Sequence, residues 1–274
     1  MEITTPYAFE LTKTQIMGVL NITPDSFYEA SRRTAPEAIL ARALEIEAEG
    51  ADILDIGAQS TRPGHVPLPP QEELARLLPA LEALRGRIRI PISVDTYDPE
   101  TAQAALRHGA RIINDVSGVV TEAMAALIKA RGAGWILMHN GGGADAAPVY
   151  RPDVITAVGA ALRGLARQAM AQGLAAGQLC LDPGLGFGKT MQDNYALLAA
   201  TAKLKLPGMG YLVGASRKRM IDGCPPGERL PGTLAAHTAA QLFGATILRV
   251  HDVKEAVQAR KVTERIQIVN CTAD

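Results

Sequence analysis

The sequence predicts a (β/α)8 barrel. Three observations carry that expectation. Eight short apolar runs alternate with longer alanine- and leucine-rich stretches of helical periodicity. Polar residues gather at the C-terminal ends of the runs. No proline- or serine-rich linker divides the 274 residues, so one domain spanning 1–274 is expected. Eight strand-then-helix units in about 250 residues suit a closed barrel. The competing layout, a doubly wound open sheet, has about five to seven strands.

In chain order the first strand candidate is "QIMGVLN" (15–21), apolar until Asn21. "APEAILARALEIEAEG" (35–50) follows with helical spacing and ends in Gly50, a residue that often terminates helices. "ADILDIG" (51–57) is the second strand, and "EELARLLPALEALRG" (72–86) is a second helix ending in glycine. The remaining strands are "PISVD" (91–95), "RIINDVSG" (111–118), "GWILMH" (134–139), "LCLD" (179–182), "YLVGA" (211–215) and "TILRVHD" (246–252). Alanine-rich helices are expected around 233–243 and 253–263. The longest stretches without periodicity, 22–34, 57–70, 140–152 and 216–231, all follow strands. They are read as loops at the C-terminal rim, where long loops usually serve function.

Bulk properties narrow the partners. Lys plus Arg and Asp plus Glu both number 28, so no global field attracts nucleic acid or an anionic membrane. Three cysteines, Cys180, Cys224 and Cys271, lack metal-ligand spacing and suggest a reducing compartment. The first residues, "MEITTPYAFELTK", do not read as a signal peptide, and no apolar stretch reaches about 18 residues. A cytoplasmic location is expected.

The polar strand ends are Asn21, Asp55, Asp95, Asn114, Asp115, His139 and Asp182, with Lys218 just after strand seven and Arg249, His251 and Asp252 on strand eight. In a barrel these converge on one mouth, the face that holds active sites. Some have structural readings: Asp55 or Asp115 as helix caps, Asp252 as the start of the last helix. Arg249 and His251 share a strand face and, with Lys218, form a cationic cluster suited to phosphate oxygens, unless local carboxylates pair with them. Asp95, Asn114 and Asp182 offer carboxylates and an amide to a flat heterocycle rich in N–H donors and acceptors. Asn21 offers a neutral oxygen usable on a Mg2+ ion that also holds substrate phosphates.

The stretch "DPGLGFGKT" (182–190) looks like a phosphate cradle. A P-loop would need glycine at position 183, and Pro183 stands there. The loop is read instead as a rim beside a flat ligand, with Phe187 as an apolar wall and Lys189 facing solvent.

Taken together, the motifs resemble dihydropteroate synthase, a family of pterin-binding enzymes. "GVLNITPDSF" (18–27) and "DIGAQSTRPG" (55–64) carry most of the specificity; "SVDT", "INDVSG", "LMH", "LDPGLGFGK", "GASRK" and "RVHDV" follow in the family's order. The resemblance implies a (β/α)8 barrel that condenses 6-hydroxymethyl-7,8-dihydropterin pyrophosphate with para-aminobenzoate, giving 7,8-dihydropteroate and pyrophosphate with Mg2+ assisting. It implies Asn21 as metal ligand. It places Thr61 and Arg62 on a loop near pyrophosphate and aminobenzoate. Asp95, Asn114, Asp182 and Lys218 would bind the pterin, with Phe187, Ser216 and Arg217 among the substrate contacts. Arg249 and His251 would hold pyrophosphate, and Asp95, Lys218, Arg249 and His251 would be catalytic. A homodimer formed through late helices is also implied.

Two stretches depart from the family pattern: "YEAS" (28–31) replaces Ser-Asp-Gly-Gly, and "NGGGADAAP" (140–148) follows the histidine. The three glycines are expected to make the second loop loose. Other readings use the same residues: a pterin-binding paralogue without activity, and a methyltetrahydrofolate-dependent corrinoid methyltransferase. An aldolase would need its lysine inside a strand, and Lys218 lies beyond one.

Overall fold

In a computed structural model the chain forms a closed barrel of eight parallel strands in sequence order, with β1 paired to β8. The structure describes residues 5–22, 35–59, 68–221 and 224–271. The strands are β1 (Gln15–Asn21), β2 (Ile53–Gly57), β3 (Ile92–Asp95), β4 (Ile112–Asp115), β5 (Gly134–Met138), β6 (Leu179–Asp182), β7 (Gly210–Val213) and β8 (Ile247–Val250). All eight coincide with the sequence expectations, trimmed by up to four residues. Gly214, Ala215, His251 and Asp252 already belong to loops, because β7 pairs with β8 only as far as Val213 and β8 pairs with β1 only as far as Val250.

Nine helices lie among the described residues: α1 (Ala35–Ala48), α2 (Pro70–Leu84), α3 (Pro99–Arg107), α4 (Glu122–Arg131), α5 (Val154–Ala171), α6 (Met191–Ala199), the single turn α7 (Thr201–Leu204), α8 (Leu230–Leu242) and α9 (Val253–Cys271). Side-chain oxygens start several of them. Asp98, Thr121 and Asp153 accept from the backbone N–H groups of Thr101, Met124 and Thr156 at 2.8, 3.2 and 2.8 Å. Each such cap supplies about 1 kcal/mol. At the other end, Gly132 closes α4 at φ 57°, a left-handed conformation natural to glycine.

Strand alternation sorts side chains into two cores. Outward residues such as Ile16, Leu54, Ile113, Leu137 and Leu181 pack against the helices. Inward residues Met17, Ile53, Ile112, Ile136, Cys180, Leu212 and Ile247 fill the barrel as a buried layer. Each such side chain contributes about 1.5–3 kcal/mol on burial. Below this layer the N-terminal segment plugs the tube. Phe9 is buried, and Tyr7 meets its ring edge-on at 5.1 Å. The plug is pinned by Tyr7 N–H to Gly132 O (2.8 Å) and Phe9 N–H to Gly177 O (2.9 Å). β5 begins with Gly134 because a Cβ there would lie 2.7 Å from the Tyr7 ring. Above the layer, at the strands' C-terminal ends, the interior turns polar.

Candidate active site

The polar layer is organised around Arg249. Its Nε donates to Asp55 Oδ2 (2.7 Å) and its Nη2 to Asp95 Oδ2 (3.0 Å). Asn114 Nδ2 donates to the same Asp55 oxygen (3.2 Å). Strands β2, β3, β4 and β8 therefore share one network. The parity of β2 explains it: Ile53, Asp55 and Gly57 face inward, Leu54 and Ile56 outward. Asp55 is fully buried and caps no helix, contrary to that expectation. The sequence reading put it at the mouth but gave it no binding or catalytic role, although the position of an acid on the inward face of "ILDIG" was the signal.

Burial alone would lower the Arg249 pKa, but the charges of Asp55 and Asp95 outweigh it and raise it. Asp95 moves up to about 7: burial raises it most, Arg249 opposes, and Asp55 adds repulsion. The cationic cluster is thus partly neutralised. Arg249 keeps three of its five N–H donors outside these carboxylate bonds.

Across the mouth, Asp182 ends β6, accepts from Gly184 N–H (2.7 Å), and has its pKa raised by burial against the pull of Lys218. Lys218 donates to the Leu185 carbonyl and sits 5.1 Å from the centre of the Phe187 ring. Burial lowers its pKa to about 8, with Asp182 opposing and Arg249 adding. Asn21 stands at the end of β1. Its Oδ1 and Asp95 Oδ2 each lie 3.9 Å from where a Cβ on Gly57 would be, so the missing side chain opens space between two oxygens.

His251 follows β8, and its Nδ1 lies 2.9 Å from Ser216 Oγ, which also accepts from the His251 N–H (3.2 Å). Arg217, left-handed at φ 56°, forks onto Asp252, with Nε donating at 3.0 Å. Asp252 does open α9, its carbonyl accepting from Ala256 N–H (3.1 Å). Buried His237 is a further residue that the sequence reading did not single out. Its Nε2 accepts from Ala215 N–H (3.2 Å), and burial lowers its pKa to about 3, so it holds the Gly214–Lys218 segment as a neutral ring.

Two expectations are corrected. Asp115 does not face the mouth: β4 alternation turns it outward, where it accepts from Trp135 Nε1 (3.3 Å) and Ser117 N–H (2.9 Å). Lys189 does not face solvent; its Nζ points inward onto Phe187 O (2.8 Å), His139 Nδ1 (3.1 Å) and His139 O (3.3 Å). Of the loop-five glycines, Gly141 is tightly packed and Gly143 is open. A Cβ on Gly141 would meet Phe187 O at 2.7 Å, so this glycine allows two loops to touch. Asn140 joins the same arrangement by donating to Val116 O (2.6 Å), beside a cavity of about 500 Å³ under the loops after β4 and β5. Thr61, Arg62 and the 28–31 stretch lie outside the described residues.

A closed parallel barrel whose mouth gathers three carboxylates, an amide, an arginine and a lysine suits a pterin-binding barrel. The sequence model described as "Pterin binding enzyme" matches residues 17–251. A curated dihydropteroate synthase of Mycobacterium leprae is 42% identical, covering 92% of this chain and 93% of that protein. The Escherichia coli dihydropteroate synthase is 39% identical, over 94% and 93%. Among solved structures, dihydropteroate synthase of Xanthomonas albilineans with 4-aminobenzoic acid superposes with a TM-score of 0.88 at 39% identity, covering 96% and 99%. The chain belongs to the dihydropteroate synthase family.

Proposed function

We infer that the chain condenses 6-hydroxymethyl-7,8-dihydropterin pyrophosphate with para-aminobenzoate, releasing pyrophosphate and 7,8-dihydropteroate. The observation that carries this is the Asp55–Arg249–Asp95 network with Asn114, set in one mouth with Asp182 and Lys218. Related enzymes support the substrate choice: Xanthomonas albilineans synthase has been solved with 7,8-dihydropteroate, and the Thermus thermophilus enzyme with 4-aminobenzoate. These relatives turn the reading away from the corrinoid methyltransferase.

Breaking the C–O bond leaves its electron pair on pyrophosphate and a cationic methylene on the pterin. The amine nitrogen then forms the C–N bond and gives up its proton to solvent. Arg249, through its remaining N–H groups, and His251 receive the leaving group. Preorganised donors of this kind usually make the largest catalytic contribution. Asp95, Asn114 and Asp182 orient the ring, and ionised Asp95 favours the developing cation. Lys218 binds the pterin with them, and Phe187 lines the approach of the amine, with Ser216 and Arg217 next to them; Thr61 and Arg62 belong to the covering loop the family resemblance implies. No protein nucleophile is required.

The mouth suits a Mg2+ ion. Asn21 makes no side-chain hydrogen bond to the described residues and presents a hard oxygen beside the space over Gly57. Among the described residues no cluster of three His, Cys, Asp or Glu could hold a metal alone, so substrate phosphates would supply most ligands. The ion's contribution when bound is charge neutralisation of the diphosphate. Purified protein with both substrates and Mg2+ is expected to release pyrophosphate and dihydropteroate together, and to stop with EDTA or Lys218→Ala. Pterin binding without product would instead identify a non-catalytic paralogue.

The protein would work in the cytoplasm as a homodimer. No helix among the described residues is long and apolar enough to cross a membrane. Leu242 and Phe243 at the end of α8, with Val262 and Ile266 on α9, are each more than 40% exposed on packed neighbouring helices. Analytical ultracentrifugation should give twice the 29.0 kDa chain mass, and Ile266→Glu should shift it to monomer. A monomeric wild type would exclude this interface.

A further inference from the structure

The reaction above leaves Lys189 without a task, yet its placement is constrained. Three acceptors surround its ammonium: the carbonyl and Nδ1 of His139 at the end of β5, and the carbonyl of Phe187 in the loop after β6. An ammonium has three donors, so this set uses its full capacity. The two loops it joins are in direct backbone contact. A Cβ on Gly184 would lie 2.1 Å from His139 O, and one on Gly188 would lie 2.2 Å from Gly141 O. Tyr150 OH donates to Gly188 O (2.7 Å) from the far side, and its ring stands 5.9 Å from His139. Phe187, whose carbonyl Lys189 holds, carries Lys218 against its ring.

We propose that Lys189 is a positioning residue for the aminobenzoate side of the mouth: by stitching the β5 end to the β6 loop it fixes the Phe187 ring. This rests on the synthase reading for the identity of the second substrate. The hydrogen bonds of Lys189 go to His139 and Phe187 and to none of Asp95, Asn114 or Asp182, so its loss acts first on the wall.

The stitch is sensitive to protonation. Burial lowers the Lys189 pKa to about 7; Asp182 and Asp193 favour its charge, and Lys218 opposes it. Burial and Lys189 together lower His139 to about 4, so the imidazole stays neutral and accepts. Tyr150 is raised by burial and Asp193 and stays protonated. Above neutral pH Lys189 becomes an amine with two donors facing three acceptors.

Steady-state kinetics with varied para-aminobenzoate and varied pterin pyrophosphate tests the proposal. Lys189→Met is expected to raise KM for para-aminobenzoate about tenfold, the size of a lost charged hydrogen bond, with kcat and KM for the pterin substrate held within about threefold. Wild type should show the same KM rising above about pH 7, and Lys189→Met should not. Lys189→Arg, charged at every pH used, should also lose the alkaline rise, which keeps the test usable should the methionine variant fail to fold. Unchanged KM in Lys189→Met, an equal loss on both substrates, or a wild-type alkaline rise retained in Lys189→Arg would overturn the proposal. Wild type without turnover would instead overturn the synthase reading.

Discussion

Replacing Arg249 with alanine is expected to lower kcat by a factor of about 10²–10³, the loss typical of removing a preorganised oxyanion donor. The same change should lower unfolding free energy by about 3 kcal/mol, because it strands a carboxylate in the interior. Asp55 is fully buried, and Arg249 is the cation on its Oδ2. The two effects separate in a double variant. Asp55→Asn in the Arg249→Ala background removes the stranded charge and should restore most of the stability without restoring turnover. Urea unfolding and pyrophosphate release, measured on the same preparations, check both. Arg249→Ala with near-normal kcat would show that the leaving group is held elsewhere. Lysine should not rescue the function, since a compact ammonium lacks the planar fork that spans Asp55 and Asp95 and would keep at most one donor for an anion, against three for Arg249.

Gly184→Ala is the second large effect. At φ 67° an alanine pays about 1–2 kcal/mol for left-handed backbone. Its Cβ would also lie 2.1 Å from the His139 carbonyl oxygen, a backbone atom at the end of β5 that cannot move aside cheaply. A total loss of about 3 kcal/mol or more is expected in urea unfolding. Gly143 provides the control. Its φ is 99°, but nothing lies within 4 Å of its missing Cβ, so Gly143→Ala should cost only the backbone strain. Equal costs at the two positions would mean that the loop contact is not tight.

The barrel was legible because each strand is a short apolar run that ends in a polar residue. Those endings survive burial only at a mouth, so Asp95, Asn114, Asp182 and Arg249 could be placed from the chain alone. Asp55 and Asp115 were harder, since both are acids within apolar strands and only the inward or outward phase of β2 and β4 separates them. That phase sends one to Arg249 and the other to Trp135. Lys189 was misread for a different reason. Its partners His139 and Phe187 come from two loops, and His139 is 50 residues away along the chain, so no local pattern reports their meeting. His237 escaped likewise, because a buried helix histidine has no sequence signature until the loop it supports is known.

The plug formed by Tyr7 and Phe9 reaches the chemistry without touching it. By stopping the lower end of the tube it denies solvent a second route to the floor beneath Asp55, Asp182 and Lys218. The polar layer therefore sits at the closed end of a one-ended well, in a weakly screening medium. Charges there are felt more strongly than in bulk water by a bound ring and by each other. The displaced ionisations of Asp95 and Lys218 follow first from burial in that well.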